Sequence, residues 1–181
     1  MKKLTFITVV FSTITLVINL CHAEEVIYER DFTNSQNFDF AYGTWDGNLK
    51  PSDEGIIIAE NCDSAGGAGL HNFNLNLASY PRNELYAVIE AKRLMTSSAK
   101  LIGILLGSKP VSDASTWQYP IADIGEVDFE RVEIPLANAP VVIRDAGVDF
   151  SNVIDIQIQG DYTNPGEIGL IIRKVKIIRK N

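Results

Sequence analysis

Two short stretches of this chain place hydrogen-bonding side chains at every second position. Asn72, Asn74 and Asn76 alternate with His71, Phe73, Leu75 and Leu77, and Asp155, Gln157 and Gln159 alternate with Ile154, Ile156 and Ile158. A period of two is the period of a strand, so each stretch reads as a strand with one face on a core and one polar face turned away from it. Rows of planar amides and carboxylates offer donors and acceptors side by side, which suits paired hydroxyl groups on a ligand. The plain alternative is the solvated face of an antiparallel sheet. Aromatic rings supply the complementary chemistry, a flat apolar surface. The candidates are Tyr42 and Trp45 in a Gly-flanked polar segment, Tyr80 before Pro81, Trp117 and Tyr119 after a Ser/Asp loop, and Tyr162 in the turn after Asp161. Trp45 and Tyr42 come first and Trp117 next, because a ring in a loop is less readily explained as core filling than a ring in a strand.

These residues need a scaffold, and the chain reads as many short β-branched and aromatic runs cut by Gly, Pro, Asn, Asp and Ser. Strands are expected near 26–32, 55–59, 70–77, 84–94, 100–107, 116–122, 129–136, 152–159 and 166–179. The last is too long for one regular strand, so a bulge or turn is expected around Arg173 and Lys174. The alternation in 71–77 sends His71 to the apolar side. Val132, Ile134 and Leu136 alternate with Arg131 and Glu133 in the same way, whereas Leu101, Ile102, Ile104, Leu105 and Leu106 leave no polar face. That run is expected at the centre of a sheet, covered on both sides. Short strands at this spacing imply an all-β protein, a two-sheet antiparallel sandwich. Without repeats or low-complexity linkers, residues 24–181 read as a single domain.

Several segments carry a resemblance. Trp117-Gln118-Tyr119-Pro120, Phe129 through Leu136 with its Ile-Pro-Leu ending, Phe150 through Asp161, and Gly166 through Ile178 resemble the second half of galactose-binding-like jelly rolls, the group that includes many carbohydrate-binding modules. Tyr28-Glu29-Arg30-Asp31-Phe32 resembles their first strand. The resemblance implies a jelly-roll sandwich and a carbohydrate ligand, bound by Tyr42, Trp45 and Trp117 with Asn72, Asn74, Asn76, Asp155, Gln157 and Gln159. It also implies a structural calcium near the first and last strands, where Glu29, Asp31 and Asp161 offer oxygens. Related domains bind proteins or envelope components as well, and fold alone does not decide between these. Arg82-Asn83-Glu84-Leu85 with Gln157-Ile158-Gln159 resembles parts of jelly-roll polysaccharide lyases, but the histidine of that pattern is Gln159 here and the Lys/Tyr-rich catalytic strand is missing. Glycosidase chemistry would need two facing carboxylates, which a sequence with 23 acids cannot single out.

The ends and the charge bound the rest. Lys2 and Lys3, an apolar run from Leu4 to Leu20, and Cys21-His22-Ala23 before two glutamates form the order of a secretory leader, so residues 1–23 are expected to be cleaved and the protein exported. A membrane anchor or lipidation at Cys21 is the rival reading. No later apolar stretch reaches the ~20 residues of a membrane span. A net charge of −7 disfavours nucleic acid as a partner. The basic run at Arg173, Lys174, Lys176, Arg179 and Lys180 alternates with Val and Ile and reads as the solvated face of the last strand. With Cys21 removed, Cys62 is the lone cysteine, so no internal disulfide is expected and the fold must rest on its core. Oligomeric state has no signature in the sequence.

Overall fold

The computed structural model describes residues 24–58, 62–94 and 97–181. The expected leader at 1–23, Cys21 included, lies outside the described residues, as does the expected strand end at Ala59. The strands are β1 (Glu24–Asp31), β2 (Phe40–Gly43), β3 (Lys50–Pro51), β4 (Ile56–Ile58), β5 (Gly66–Leu70), β6 (Leu85–Arg93), β7 (Leu101–Ser108), β8 (Ala114–Pro120), β9 (Glu130–Pro135), β10 (Val141–Val142), β11 (Val153–Gly160) and β12 (Leu170–Lys180). Among the described residues helix is confined to 3-10 turns at Arg82–Glu84 and Ile121–Asp123. Among the described residues no helix is long and apolar enough to cross a membrane.

The strands form two antiparallel six-stranded sheets, so the protein is the all-β sandwich that its alternating pattern predicts. The first sheet has the order β3-β4-β12-β6-β9 with β1 also on β12, and the second has the order β10-β8-β7-β11-β5-β2. Inward positions of both meet in one core: Ala87, Ile89, Val132, Ile134, Val175 and Ile177 from the first sheet, and Leu70, Ile104, Leu106, Ile156 and Ile158 from the second. Burying each such side chain is worth about 1.5–3 kcal/mol relative to leaving it in water. Among the described residues Cys62 is the one cysteine, and it is buried in this core.

The bulge expected in the last strand lies where the sequence puts it. The register of β12 against β6 shifts between Ile172 and Lys174. Leu170 to Ile172 pair with β4, and Lys174 to Lys180 pair with β1, so one strand supports two partners along the same edge. Beyond the bulge, Lys174, Lys176, Ile178 and Lys180 point outward. Lys176 lies 3.2 Å from Glu29 and 3.4 Å from Glu90, Lys174 lies 3.1 Å from Asp31, and Lys180 pairs with Glu133, which also takes Arg131 at 2.9 Å. The basic run is thus a face of ion pairs. Val88 and Ile178 share that outer face, yet both are fully buried, Val88 opposite Lys176 and Ile178 opposite Tyr86.

Two expectations fail locally. Strand β5 stops at Leu70, and Asn72 adopts φ +67°, the left-handed region that Asn tolerates. His71, ahead of that turn, is 41% exposed rather than on the apolar side, and past the turn Phe73, Leu75 and Leu77 take the core side as expected. A second irregularity, between Val153 and Asp155 in β11, sends Val153 into the core and leaves Ile154 half-buried outside it. Strand β7 is central, as its apolar run implies, but only Ile102, Ile104 and Leu106 join the inter-sheet core. Leu105 points the other way and floors a groove that no second layer covers.

Candidate functional site

The groove lies on the outer face of the second sheet, and its geometry follows from register. Phe40 pairs with Gly69, Gly69 with Gln157, Gln157 with Leu105, and Leu105 with Thr116, giving one row across five strands. The next row is Tyr42, Gly67, Gln159, Gly103 and Gln118. A third holds Asp155 opposite Gly107. Glycine thus recurs on the outward side of β5 and β7, and it does so because neighbouring side chains lie flat over it. A Cβ on Gly69 would stand 2.4 Å from Phe40 Cζ, one on Gly67 2.4 Å from Tyr42 Oη, and one on Gly107 2.5 Å from Asp155 Oδ1.

With the rings laid down, Phe40 and Tyr42 form a strip, their centroids 6.3 Å apart and planes 23° apart. His71 extends it, 5.5 Å from Phe40. Beside the strip run the amides. Tyr42 Oη donates to Gln157 Oε1 at 2.9 Å, Gln157 Nε2 donates to Asp155 Oδ1 at 3.2 Å, and Thr116 Oγ1 donates to Gln159 Oε1 at 3.1 Å. These bonds fix the side chains and leave the Gln159 amide nitrogen without a protein partner among the described residues. Ile143, Arg144 and Tyr162 form the rim of a depression of about 440 Å³ over Leu105 and the two glutamines. It shares Ile143, Gln159 and Tyr162 with one of about 110 Å³ reaching Gln118 and Thr163, and a separate one of about 500 Å³ is bounded by His71, Asn72, Asn74, Lys109 and Asp155.

Electrostatics mark the groove as partly dry. Burial pushes the Tyr42 phenol well above its ordinary range, with the nearby Tyr162 and Asp155 adding to the rise and Arg144 opposing it. The hydroxyl therefore stays a donor. Burial likewise raises the Asp155 carboxyl, against the pull of Gln157, Arg144, His71 and the Gly107 amide. Rings, fixed amides and a partly desolvated floor equip the groove to hold a flat, polyhydroxylated ligand.

The structure brings Tyr42, Asp155, Gln157 and Gln159 together, with Asn72 and Asn74 beside them. Asn76 is elsewhere employed, its Oδ1 accepting the Ala78 N–H at 3.1 Å. Trp45 and Trp117 are 0% and 2% exposed, their indole N–H groups bonded to the Asp63 and Asn138 carbonyls, so both rings are core. Of the residues named for calcium, Glu29 and Asp31 face Lys174, while Asp161 follows β11 in the other sheet and accepts from Thr163 and Asn164. Among the described residues no three His, Cys, Asp or Glu gather as metal ligands. Arg82 donates to the Leu136 carbonyl and lies 3.7 Å over the Phe150 ring, apart from the contacts of Gln157. Phe40, Leu105 and Arg144 escaped the sequence reading. For Phe40 the signal was present: rings at positions 40 and 42, glycines at 67 and 69, two complementary patterns of period two.

No protein-family model and no curated protein matches this chain. Solved structures overlap it in part. One holds the CBM22-1 and GH10 modules of the Clostridium thermocellum endo-1,4-β-D-xylanase 10B complexed with xylohexaose, at TM-score 0.46 and 13% identity over 87% of this chain. Another is PfGH50B, at TM-score 0.45 and 12% identity over 85% of this chain. The chain spans 29% and 24% of those two chains. Overlaps this partial say nothing of what this chain binds.

Proposed function

We propose that this chain is an exported, non-catalytic carbohydrate-binding protein whose ligand lies in the groove of the second sheet. The supporting observation is the strip of rings beside three rows of amide, hydroxyl and carboxylate groups on a glycine floor. Sugar rings offer one C–H face for stacking and hydroxyl edges for bidentate contacts with amides, and the groove holds both complements a few ångströms apart. Among the described residues Asp155 is the one carboxylate lining the 440 and 500 Å³ depressions, which supports binding over hydrolysis by a carboxylate pair. A glycan array probed with the purified protein, with and without Ca²⁺ because the sequence resemblance implies a structural calcium, tests this. Hits that vanish in Tyr42→Ala while the near-ultraviolet dichroism is unchanged support the reading. A folded protein that binds no neutral or acidic glycan overturns it.

A second reading, an envelope or adhesion domain that binds protein, rests on Val141, Val142 and Ile143. These consecutive residues are 51%, 57% and 44% exposed at the groove's edge. It predicts an empty glycan array together with capture of an envelope protein that Val142→Ser and Ile143→Ser release.

A further inference from the structure

The cations of the two sheet faces are treated differently. On the first sheet Lys174, Lys176, Lys180, Arg131 and Arg179 each have a carboxylate within 4.0 Å. Along the groove, Lys109 and Arg144 have none among the described residues. Arg144 donates one Nη1 hydrogen bond to the Val111 carbonyl, which fixes the guanidinium at the rim and leaves most of its five N–H donors unused. Lys109 lies in the loop that carries Val111, and both residues line the depression beside Asp155. Asp155 does not neutralise them as an ion pair, because it is laid against Gly107 and takes the Gln157 amide. In a chain of net charge −7, Arg144 at the rim and Lys109 two residues from its Val111 partner put positive charge beside the ring-and-amide groove that no described carboxylate pairs with, a place suited to an anion.

Resting on the carbohydrate reading, we infer that the groove's ligand is an acidic glycan, with a carboxylate or sulfate on the sugar unit that lies between Lys109 and Arg144. The ring face of that unit stacks on Phe40 and Tyr42, and its anionic group takes the free guanidinium edge. Charge-assisted bonds to guanidinium are the stronger class of hydrogen bond, and a neutral analogue leaves those donors unanswered.

Titration calorimetry with matched pairs tests this: a uronate oligosaccharide against its carboxyl-reduced form, and a sulfated oligosaccharide against its desulfated form. The charged member of one pair is expected to bind about tenfold more tightly. The pair showing the gap identifies the anion. Raising the salt should narrow the gap, Arg144→Gln should largely close it, Arg144→Lys should keep most of it, and Lys109→Gln should narrow it without touching the Arg144 loop. Tyr42→Ala should weaken both members of a pair alike. Equal affinities within both pairs, or a gap that survives the Lys109→Gln/Arg144→Gln double variant, overturn the inference. Neutral members bound equally well and lost in Tyr42→Ala would sink the charge inference and leave carbohydrate binding standing. No binding by any member ends both.

Discussion

The outer face of the first sheet answers Lys174, Lys176 and Lys180 with carboxylates, whereas the outer face of the second lays rings over glycines and leaves two cations without one among the described residues. Both faces alternate with the same core, so backbone geometry does not separate them. Side-chain bulk does. On the first sheet, Val88 and Ile178 are fully buried and the charged heads around them pair with one another. On the second, removing Cβ atoms at Gly67, Gly69 and Gly107 makes room for side chains to lie down, and the result is a hollow. A sheet face can therefore be closed by long charged residues or hollowed by glycine.

The sharpest way to break the contrast is to fill the hollow. Gly69→Val would drive its side chain into Phe40 and Gln157. Overpacking of this kind destabilises by about 1–3 kcal/mol, and lifting the Phe40 ring should also abolish glycan binding, both measurable by thermal melts and calorimetry. On the opposite face Lys180→Ala, which removes the partly exposed pair with Glu133, should change stability by only about 0.2–1 kcal/mol and leave binding intact. An equal loss of binding in the two variants would mean that the faces are not functionally distinct.

A finer cut separates ring from hydroxyl. Tyr42→Phe keeps the strip and loses the bond to Gln157, so stability should fall by about 0.5–1.5 kcal/mol while the acidic glycan still binds within an order of magnitude. Loss of all binding would shift the weight of the site from stacking to the hydroxyl.

The smallest expected effect is a matter of sign. Burial opposes ionisation of Asp31, but the Thr33 hydroxyl and N–H and the Lys174 ammonium outweigh it and hold the carboxyl at about 2, below its ordinary 3.8. Its stabilising contribution is complete above 3.8 and disappears as pH falls through about 2. Asp155 is shifted the other way, chiefly by burial, so its ionisation subtracts stability as pH rises past its ordinary 3.8. In acid unfolding curves Asp31→Asn should flatten the rise of stability with pH, and Asp155→Asn should steepen it. Two slopes of the same sign would contradict the assignment of one paired and one desolvated carboxylate.

Much of the fold was legible because alternation is a direct consequence of strand geometry. The inward Val132, Ile134, Ile156 and Ile158, the central place of 101–106 and the bulge near Arg173 all follow from it. It misled at His71, just ahead of the left-handed Asn72, and at Ile154 within the Val153–Asp155 irregularity, because a single displaced residue breaks the alternation there, while Phe73, Leu75, Leu77, Ile156 and Ile158 beyond them keep the core side that the pattern gives them. The amide row of β11 was legible for the same reason. The rest of the groove was not. Gly66 to Gly69 reads as a loop because glycine disfavours strands, and only the register across β2, β5 and β11 reveals that each glycine faces a ring or an amide. Trp45 reads as an exposed loop ring, yet Gly66, whose Cβ would stand 2.4 Å from its indole, lets it sink into the core. Arg144 reaches the site through a loop, and no periodicity announces that.

The bulge in β12 has a further consequence, for attachment. By letting β1 pair along the second half of that strand, it sets Glu24 opposite Lys180, so both described ends of the chain leave from neighbouring points on the first sheet. Whatever is joined to either end, a surface support, a reporter or a second domain, emerges behind the sandwich. The groove, on the outer face of the other sheet, is left open by attachment at either end.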